Sequence, residues 1–425
     1  MNNFSRNKFF TRFQSINKNY DWVLLTVVIT LCIAGLTFLA SALSVKVQAD
    51  FYKELLKQMI FGLWIGGFLS YILARVDYHN LFKVKNTLLY ITIVLLAFLA
   101  GFAIFTQVTG MSEAAKKVFI DGRANPIIAP SIANGSIRWI DTPLLLVQPS
   151  ELAKLTLLIF FAAKINEFKD QEITWMSLKR PFYAFFLISS LIIVQPDLGS
   201  IVLIFCILFS AMWATKVPMK ILGIVVTIVS IFVLISSFTT GYRLSRIKSA
   251  YDTKNATKAE NYQTKNAQKA ISDGGLWGAG YGNSIAKQQG IVPESSTDAI
   301  ISIIAEEMGF IFTTLFLSLY IVFCFRGLKI AREAPDVGGK ALAVGITIWI
   351  VLQAFWNVGG IIGLAPLKGL PLPFVSEGGT ALVLNLASVG ILMNISSQKN
   401  ENNIASQVES KTNAGKRRRF LRNNG

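Results

Sequence analysis

The chain has 425 residues, 53% of them hydrophobic and only 15% charged, with a formal net charge of +17. Soluble globular proteins carry about 25% charged residues, and disordered or nucleic-acid-binding chains are poorer in Leu, Ile, Val and Phe, so both readings are disfavoured. A hydrocarbon core about 30 Å thick takes about 20 apolar residues per helical crossing; ten crossings use about half of this chain, and a mean hydropathy of +0.51 agrees.

Taken in chain order, uninterrupted apolar windows predict ten helices, at about 22–42, 55–75, 87–107, 146–165, 181–195, 198–215, 220–239, 299–325, 341–363 and 380–396. The expected fold is therefore all-α: a polytopic ten-helix bundle over 22–396, preceded by a cytoplasmic segment 1–21 and followed by a basic tail 397–425. The first run follows Arg6, Lys8, Arg12 and Lys18 and reads as a retained signal-anchor. With the N-terminus in the cytoplasm, 24 of the 41 Lys and Arg fall in the inner connectors, as the positive-inside rule requires. Both termini are then cytoplasmic. The tail, with Lys416, Arg417, Arg418, Arg419 and Arg422, suits anionic lipid better than nucleic acid. Two outer loops, 108–145 and 240–298, are too long to be simple connectors. The second carries eight basic against five acidic residues, which fits either an anionic substrate or a solvated loop.

Cys32, Cys206 and Cys324 lie in apolar runs at spacings that indicate neither a disulfide nor a zinc site. The single histidine, His79, sits in a short polar connector and reads as solvated. No histidine-based metal site or triad is possible with one histidine.

Ionisable residues in or beside spans are costly and stand out as functional candidates. At the fourth window, Gln148-Pro149-Ser150-Glu151 opens a helix on which Glu151 and Lys154 share one face; this is either a functional pair or a structural ion pair. In Gln195-Pro196-Asp197-Leu198-Gly199, Asp197 is placed to cap the sixth helix. The stretch from Gly274 to Gly309 contains Gly278, Gly280 and Gly282, which resemble a dinucleotide fingerprint only superficially, because no strand precedes them. They suit tight turns and close approach of backbone amides to a ligand. Asp298 lies at the mouth of the eighth helix, with Glu306 and Glu307 deeper. It is either a general base for an acceptor hydroxyl or an N-cap.

Several motifs together resemble those of a known family: Gly135-Ser-Ile-Arg-Trp-Ile140, Gln148-Pro-Ser-Glu151 with Lys154, Gln195-Pro-Asp-Leu-Gly199, Pro293-Glu294 with Thr297-Asp298, Glu306-Glu307 with Gly309, and Gly369 to Gly379. They are similar to the SEDS family (shape, elongation, division and sporulation), and the resemblance runs from about Asp21 to Ser396. It implies a ten-helix peptidoglycan glycosyltransferase of the bacterial cytoplasmic membrane that polymerises lipid II on the outer side. It also implies a class B penicillin-binding protein as transpeptidase partner, divisome proteins at the septum, no nucleic acid, and a divalent cation, Mg2+ or Mn2+. Carried over by motif, Asp298 is the catalytic base or a metal ligand, and Glu151 with Lys154 the functional pair. Arg138, Asp197, Lys287, Glu294 and Ser376 match further positions expected to meet substrate. The stretch QPSELAKL and the ending Gly390 to Ser396 resemble the division branch more than the rod-shape branch. Departures are Glu377 where an aromatic is usual, TDAII in place of TDFIF, no Asp-Pro turn after Arg246, and an apparent insertion from Met111 to Asn134. The rival reading is a lipid flippase or transporter, in which the membrane carboxylates relay protons; the sequence shows no convincing internal repeat.

Overall fold

A computed structural model describes residues 20–45, 48–109, 129–133, 136–142, 146–168, 171, 173–238, 258–292, 295–365 and 369–398. The basic segment before Tyr20, most of the 111–134 insertion, Arg243, Arg246, Lys248, Lys254, Pro293, Glu294 and the tail beyond Gln398 lie outside the described residues.

In chain order the helices are α1 (Trp22–Leu43), α2 (Gln48–Lys57), a π-helical turn (Gln58–Trp64) leading into α3 (Ile65–Arg75), α4 (His79–Val108), α5 (Pro149–Glu167), α6 (Trp175–Val194), α7 (Leu198–Ala214), α8 (Met219–Phe238), α9 (Lys258–Asp273), α10 (Ile285–Gln288), α11 (Ile300–Arg332), α12 (Val337–Ile361) and α13 (Gly379–Gln398). Each apolar window overlaps one of them. Among the described residues, seven helices are long and apolar enough to cross a membrane, and α7 and α8 are shorter apolar helices. The protein is a mostly helical, multi-pass membrane bundle, with α5, α12 and α13 deeply enclosed. Most other helices bury one stripe and expose another, as the many exposed Ile, Val and Phe of α1, α4 and α8 show. Exposed apolar side chains of this kind face lipid at no cost.

The all-α expectation holds, with one small sheet added to it. The loop after α4 folds into a small antiparallel sheet in the order β1 (Ala129–Ala133), β2 (Ser136–Asp141), β3 (Leu146–Val147). The end of the apparent insertion supplies β1, and the SIRWI motif supplies β2. Ile137 and Ile140 of β2 are buried against Leu99 and Ala103 near the end of α4, so the sheet caps this end of the bundle. Helix-period reasoning missed it because its strands are short and one edge is a two-residue strand.

The eighth window is also not one straight helix. α11 breaks at Gly309, whose φ of 75° and ψ of 177° only glycine adopts readily. The break frees two carbonyls and two amides, which need internal partners in a membrane protein. The glycine-rich loop after α9 supplies them. Ala279 and Gly280 amides donate to the Glu306 and Glu307 carbonyls, both at 2.9 Å. The Phe310 and Ile311 amides donate to the Gly275 and Leu276 carbonyls at 2.9 and 3.3 Å. The loop amides at Ala279 and Gly280 therefore seal a broken helix, which corrects the expectation that they approach a ligand. A Cβ on Gly278 would lie 2.2 Å from the Glu307 carbonyl oxygen, so that position has no room for any side chain.

At the end opposite the sheet, His79 is the first residue of α4 rather than a solvated loop residue. Its ring bridges Asp77 Oδ1 at 2.7 Å and Asp336 Oδ2 at 2.5 Å, tying α4 to the start of α12. Gln398 of α13 also donates to Asp77. Burial pushes the Asp77 carboxyl up, but hydrogen bonds from His79 and Gln398 outweigh it and hold the group well below the usual range. Asp336 is lowered by the same balance, with His79 and the Gly339 amide opposing burial.

Two tests follow from these features. Gly278 and Gly282 have nearly the same φ, +83° and +84°, but nothing lies within 4 Å of a Cβ on Gly282. Gly278→Ala is expected to lower thermal stability by about 1–3 kcal/mol more than Gly282→Ala, measured by unfolding in detergent; equal losses would contradict the sealing role. The depressed Asp77 and Asp336 stabilise the fold above the unfolded carboxyl pKa of about 4, and this contribution is lost as pH falls below it. The stability gap between wild type and His79→Ala is accordingly expected to shrink as pH falls from about 4 toward the lowered folded pKa values of the two carboxyls.

Candidate active site

Pro149 is the first residue of α5, where its missing amide hydrogen costs nothing. Glu151 and Lys154 follow on one face and form an ion pair of 2.6 Å, both side chains fully buried. Lys154 Nζ also donates to Gln353 Oε1 of α12 at 2.9 Å and sits 5.3 Å from the centre of the Trp349 ring. The Trp349 indole donates to the same Gln353 oxygen at 2.9 Å. With its oxygen held twice, the Gln353 amide must turn its nitrogen the other way, and that nitrogen donates to the Pro371 carbonyl at 2.9 Å.

Pro371 belongs to the irregular stretch Gly369-Leu-Pro-Leu-Pro-Phe-Val-Ser376 between α12 and α13. Leu370, Leu372, Phe374, Val375 and Ser376 are all buried, so its backbone has little access to water. Two prolines remove two amide donors. The carbonyls are then served one after another: Leu370 by Asn357 Nδ2 at 2.8 Å, Pro371 by Gln353, Leu372 by the Val375 and Ser376 amides, and Pro373 by the Tyr320 hydroxyl at 2.6 Å. Gly35 of α1 makes room for the stretch; a Cβ there would lie 2.6 Å from the Phe374 carbonyl oxygen.

This stretch braces the segment that carries Asp298. Ser376 Oγ donates to the Thr297 carbonyl at 2.6 Å, the Glu377 amide donates to the Ser296 carbonyl at 2.9 Å, and Asn357 Nδ2 donates to the Asp298 carbonyl at 2.8 Å. Gln58, in the π-helical turn, clamps the far side by donating to the Ser376 carbonyl and accepting from the Gly378 amide. Asp298 is half-buried and lies against Gly369, where a Cβ would come within 2.9 Å of its Oδ2. The N-cap position of α11 is Ala299, one residue beyond Asp298.

The other expected residues form two supporting groups. Asp197 caps α7, accepting from the Ser200 amide at 3.1 Å and the Ser200 hydroxyl at 2.6 Å. Arg138 of β2 donates to the Gln195 and Pro196 carbonyls at 3.2 and 2.6 Å, fastening the sheet over that turn. Glu306 receives the Ser284 hydroxyl and the Ile285 and Ala286 amides, which anchors α10. Lys287 of α10 then reaches Glu307 at 2.6 Å and Ser41 Oγ of α1 at 2.5 Å, with its side chain buried. Glu151, Lys154 and Lys287 are thus internal ties, Ser376 is a brace, and Asp298 is half-buried.

Gln58, Trp349, Gln353 and Asn357 were not among the expected site residues. For Gln58, Gln353 and Asn357 the signal is an uncharged amide inside an apolar run, which carries unmet hydrogen-bond capacity just as a charge does. Among the described residues, no three His, Cys, Asp or Glu side chains are grouped as a metal centre. Asp298 alone fits the kind of Mg2+ site that uses one carboxylate and substrate phosphates.

The Glu151–Lys154 pair gives a direct test. Lys154→Met strands a buried carboxylate and is expected to cost about 3–5 kcal/mol, and adding Glu151→Leu is expected to restore most of it. Thermal unfolding of the single and double variants in detergent measures this. A double variant no more stable than the single one would contradict the pairing.

The FtsW/RodA/SpoVE family of cell cycle proteins matches residues 124–401. A probable peptidoglycan glycosyltransferase FtsW of Bacillus subtilis is 32% identical over 398 residues, covering 89% of this chain and 91% of that protein. A protein of the same name from Haemophilus ducreyi is 37% identical over 278 residues, 64% of this chain and 69% of that one. The peptidoglycan glycosyltransferase MrdB of Escherichia coli is 32% identical over 270 residues, 62% of this chain and 72% of that one. Among solved structures, a chain reported under "Structural coordination of polymerization and crosslinking by a peptidoglycan synthase complex" superposes with a TM-score of 0.68 at 22% identity, covering 90% of this chain and 98% of that chain. The rod shape determining protein RodA of Thermus thermophilus gives 0.61 at 22%, with the same coverage. At that identity the structural likeness bears on the fold alone. The family match, together with 32% identity to a relative over nearly the full length, makes this chain a member of the FtsW/RodA/SpoVE family.

Proposed function

We propose that this protein is a peptidoglycan glycosyltransferase of the division branch, polymerising lipid II on the outer side of the cytoplasmic membrane during septal wall synthesis. The observation that carries the reading is Asp298, a half-buried residue beside Gly369 whose backbone carbonyl accepts from Asn357 and whose neighbour Thr297 is bonded through its carbonyl by Ser376. The relatives named peptidoglycan glycosyltransferase FtsW supply the reaction class. The distribution of Lys and Arg supports an extracytoplasmic sheet end, with both termini cytoplasmic.

Asp298 accepts the proton of the acceptor sugar hydroxyl. The freed oxygen attacks the anomeric carbon of the donor, the bond from that carbon to the lipid pyrophosphate breaks, and the configuration inverts. General-base assistance of this kind contributes about 10²–10⁴-fold. Lys154 and Lys287 are engaged by Glu151 and Glu307, so we assign them to holding the site's shape. Arg138 and Glu294 remain candidates for substrate contact. A bound Mg2+ or Mn2+, held by Asp298 and the donor's pyrophosphate oxygens, would neutralise charge on the leaving group. A class B penicillin-binding protein and divisome proteins are the proposed partners, and the septum the proposed location.

Two rivals are kept because observations favour each. MrdB is about as similar over its matched region as the Bacillus relative, which supports a rod-shape role. Buried membrane carboxylates also suit a lipid flippase. Asp298→Ala in purified protein given lipid II in detergent is expected to lower polymer formation at least about 10²-fold with unfolding unchanged. Full activity would remove the base assignment, and a wild-type protein that makes no polymer with or without its partner synthase would favour the flippase.

A further inference from the structure

A cavity of about 540 Å³ lies between α1, α3 and α13. Its shape follows from which side chains are small. α3 packs tightly on α13: a Cβ on Gly66 would meet Leu386 and Val383, and one on Gly390 would lie 2.3 Å from the Ser70 carbonyl. Toward α1, however, α3 presents Gly67, Ser70 and Ala74, one helical stripe of small residues. Nothing lies within 4 Å of a Cβ on Gly67. The stripe of α1 from Leu25 to Leu36 forms the opposite wall and is almost wholly apolar. From Leu63 to Arg75 the groove is about 18 Å long, close to the depth of one leaflet in a core of about 30 Å.

Only one end of the groove is polar. There Tyr20, Trp22, Tyr71 and Arg75 gather, aromatic residues of the kind that mark a membrane surface. The Arg75 guanidinium lies 4.4 Å from the centre of the Tyr71 ring, and among the described residues no carboxylate pairs with it. Asp77, two residues on, is taken by His79 and Gln398. The chain reaches Tyr20 from a segment holding Arg6, Lys8, Arg12 and Lys18 and no acidic residue.

We propose that this groove is a binding site for an anionic phospholipid, one acyl chain between α1 and α3 and the phosphate on Arg75. Arginine matches a phosphate with two parallel hydrogen bonds. A zwitterionic headgroup would bring its own ammonium toward the same cationic end, so the charge selects against it. The apolar length holds the chain, and the small stripe of α3 makes its room.

The test uses the full chain purified in detergent and stripped of lipid, then mixed with equal phosphatidylglycerol and phosphatidylethanolamine and read by native mass spectrometry. Phosphatidylglycerol adducts are expected to exceed phosphatidylethanolamine adducts about tenfold, and Arg75→Gln is expected to bring the ratio near one. Gly67→Phe fills the cavity and is expected to remove the adducts. Gly101→Phe, at another open glycine on α4, is expected to keep them. Equal binding of both lipids by wild type, an unchanged preference in Arg75→Gln, or adducts surviving in Gly67→Phe as in Gly101→Phe would overturn the proposal. So would a dimer in place of adducts, which would mean that a second copy covers the groove.

Discussion

A backbone carbonyl buried away from water must find a donor inside the protein, and in this bundle that rule is hardest to meet along Gly369 to Ser376. The stretch is non-helical and largely buried, yet four consecutive carbonyls are each paired. Two of the donors, Gln353 and Asn357, sit four residues apart on α12, so one helix face serves the stretch. The same Asn357 nitrogen reaches the Asp298 carbonyl. The position of the candidate base is thereby tied to a rigid, deeply enclosed helix, although Asp298 itself belongs to a loop.

The ion pairs belong to the same frame. Lys154 fixes the orientation of the Gln353 amide, and Glu151 balances the charge this requires. Lys287, with Glu307 and Ser41, ties the long loop between α8 and α11 to α1 and α11 beside the break at Gly309. A buried ion pair adds little net stability compared with an apolar pair of the same shape. What these two supply here is direction: each ammonium has one carboxylate and a second, uncharged partner that fixes where it points. Sites held by such support on rigid elements keep the precise geometry that catalysis needs.

Much of this was legible in the residues. Apolar windows located the long helices, Pro149 marked a helix start, the three-residue spacing of Glu151 and Lys154 announced their contact, and Asp197 was readable as a cap. These are local signals, fixed by helical period or by the chemistry of a helix end. The break at Gly309 was not legible, because it depends on a glycine loop about 30 residues earlier in the chain that supplies its hydrogen bonds. The role of His79 is hidden for a similar reason, since its partner Asp336 lies 257 residues away. Gln58, Gln353 and Asn357 carry no charge to mark them, yet an amide in an apolar run needs partners as a charge does.

Asn357 joins the two irregular segments flanking the site into one unit. Hydrogen–deuterium exchange of wild type and Asn357→Ala tests it most directly, read on peptides covering 295–303 and 369–378 with Leu198–Ala214 of α7 as internal reference. Faster exchange is expected in both segments together while α7 stays unchanged. Faster exchange in 369–378 with 295–303 unaffected would contradict it.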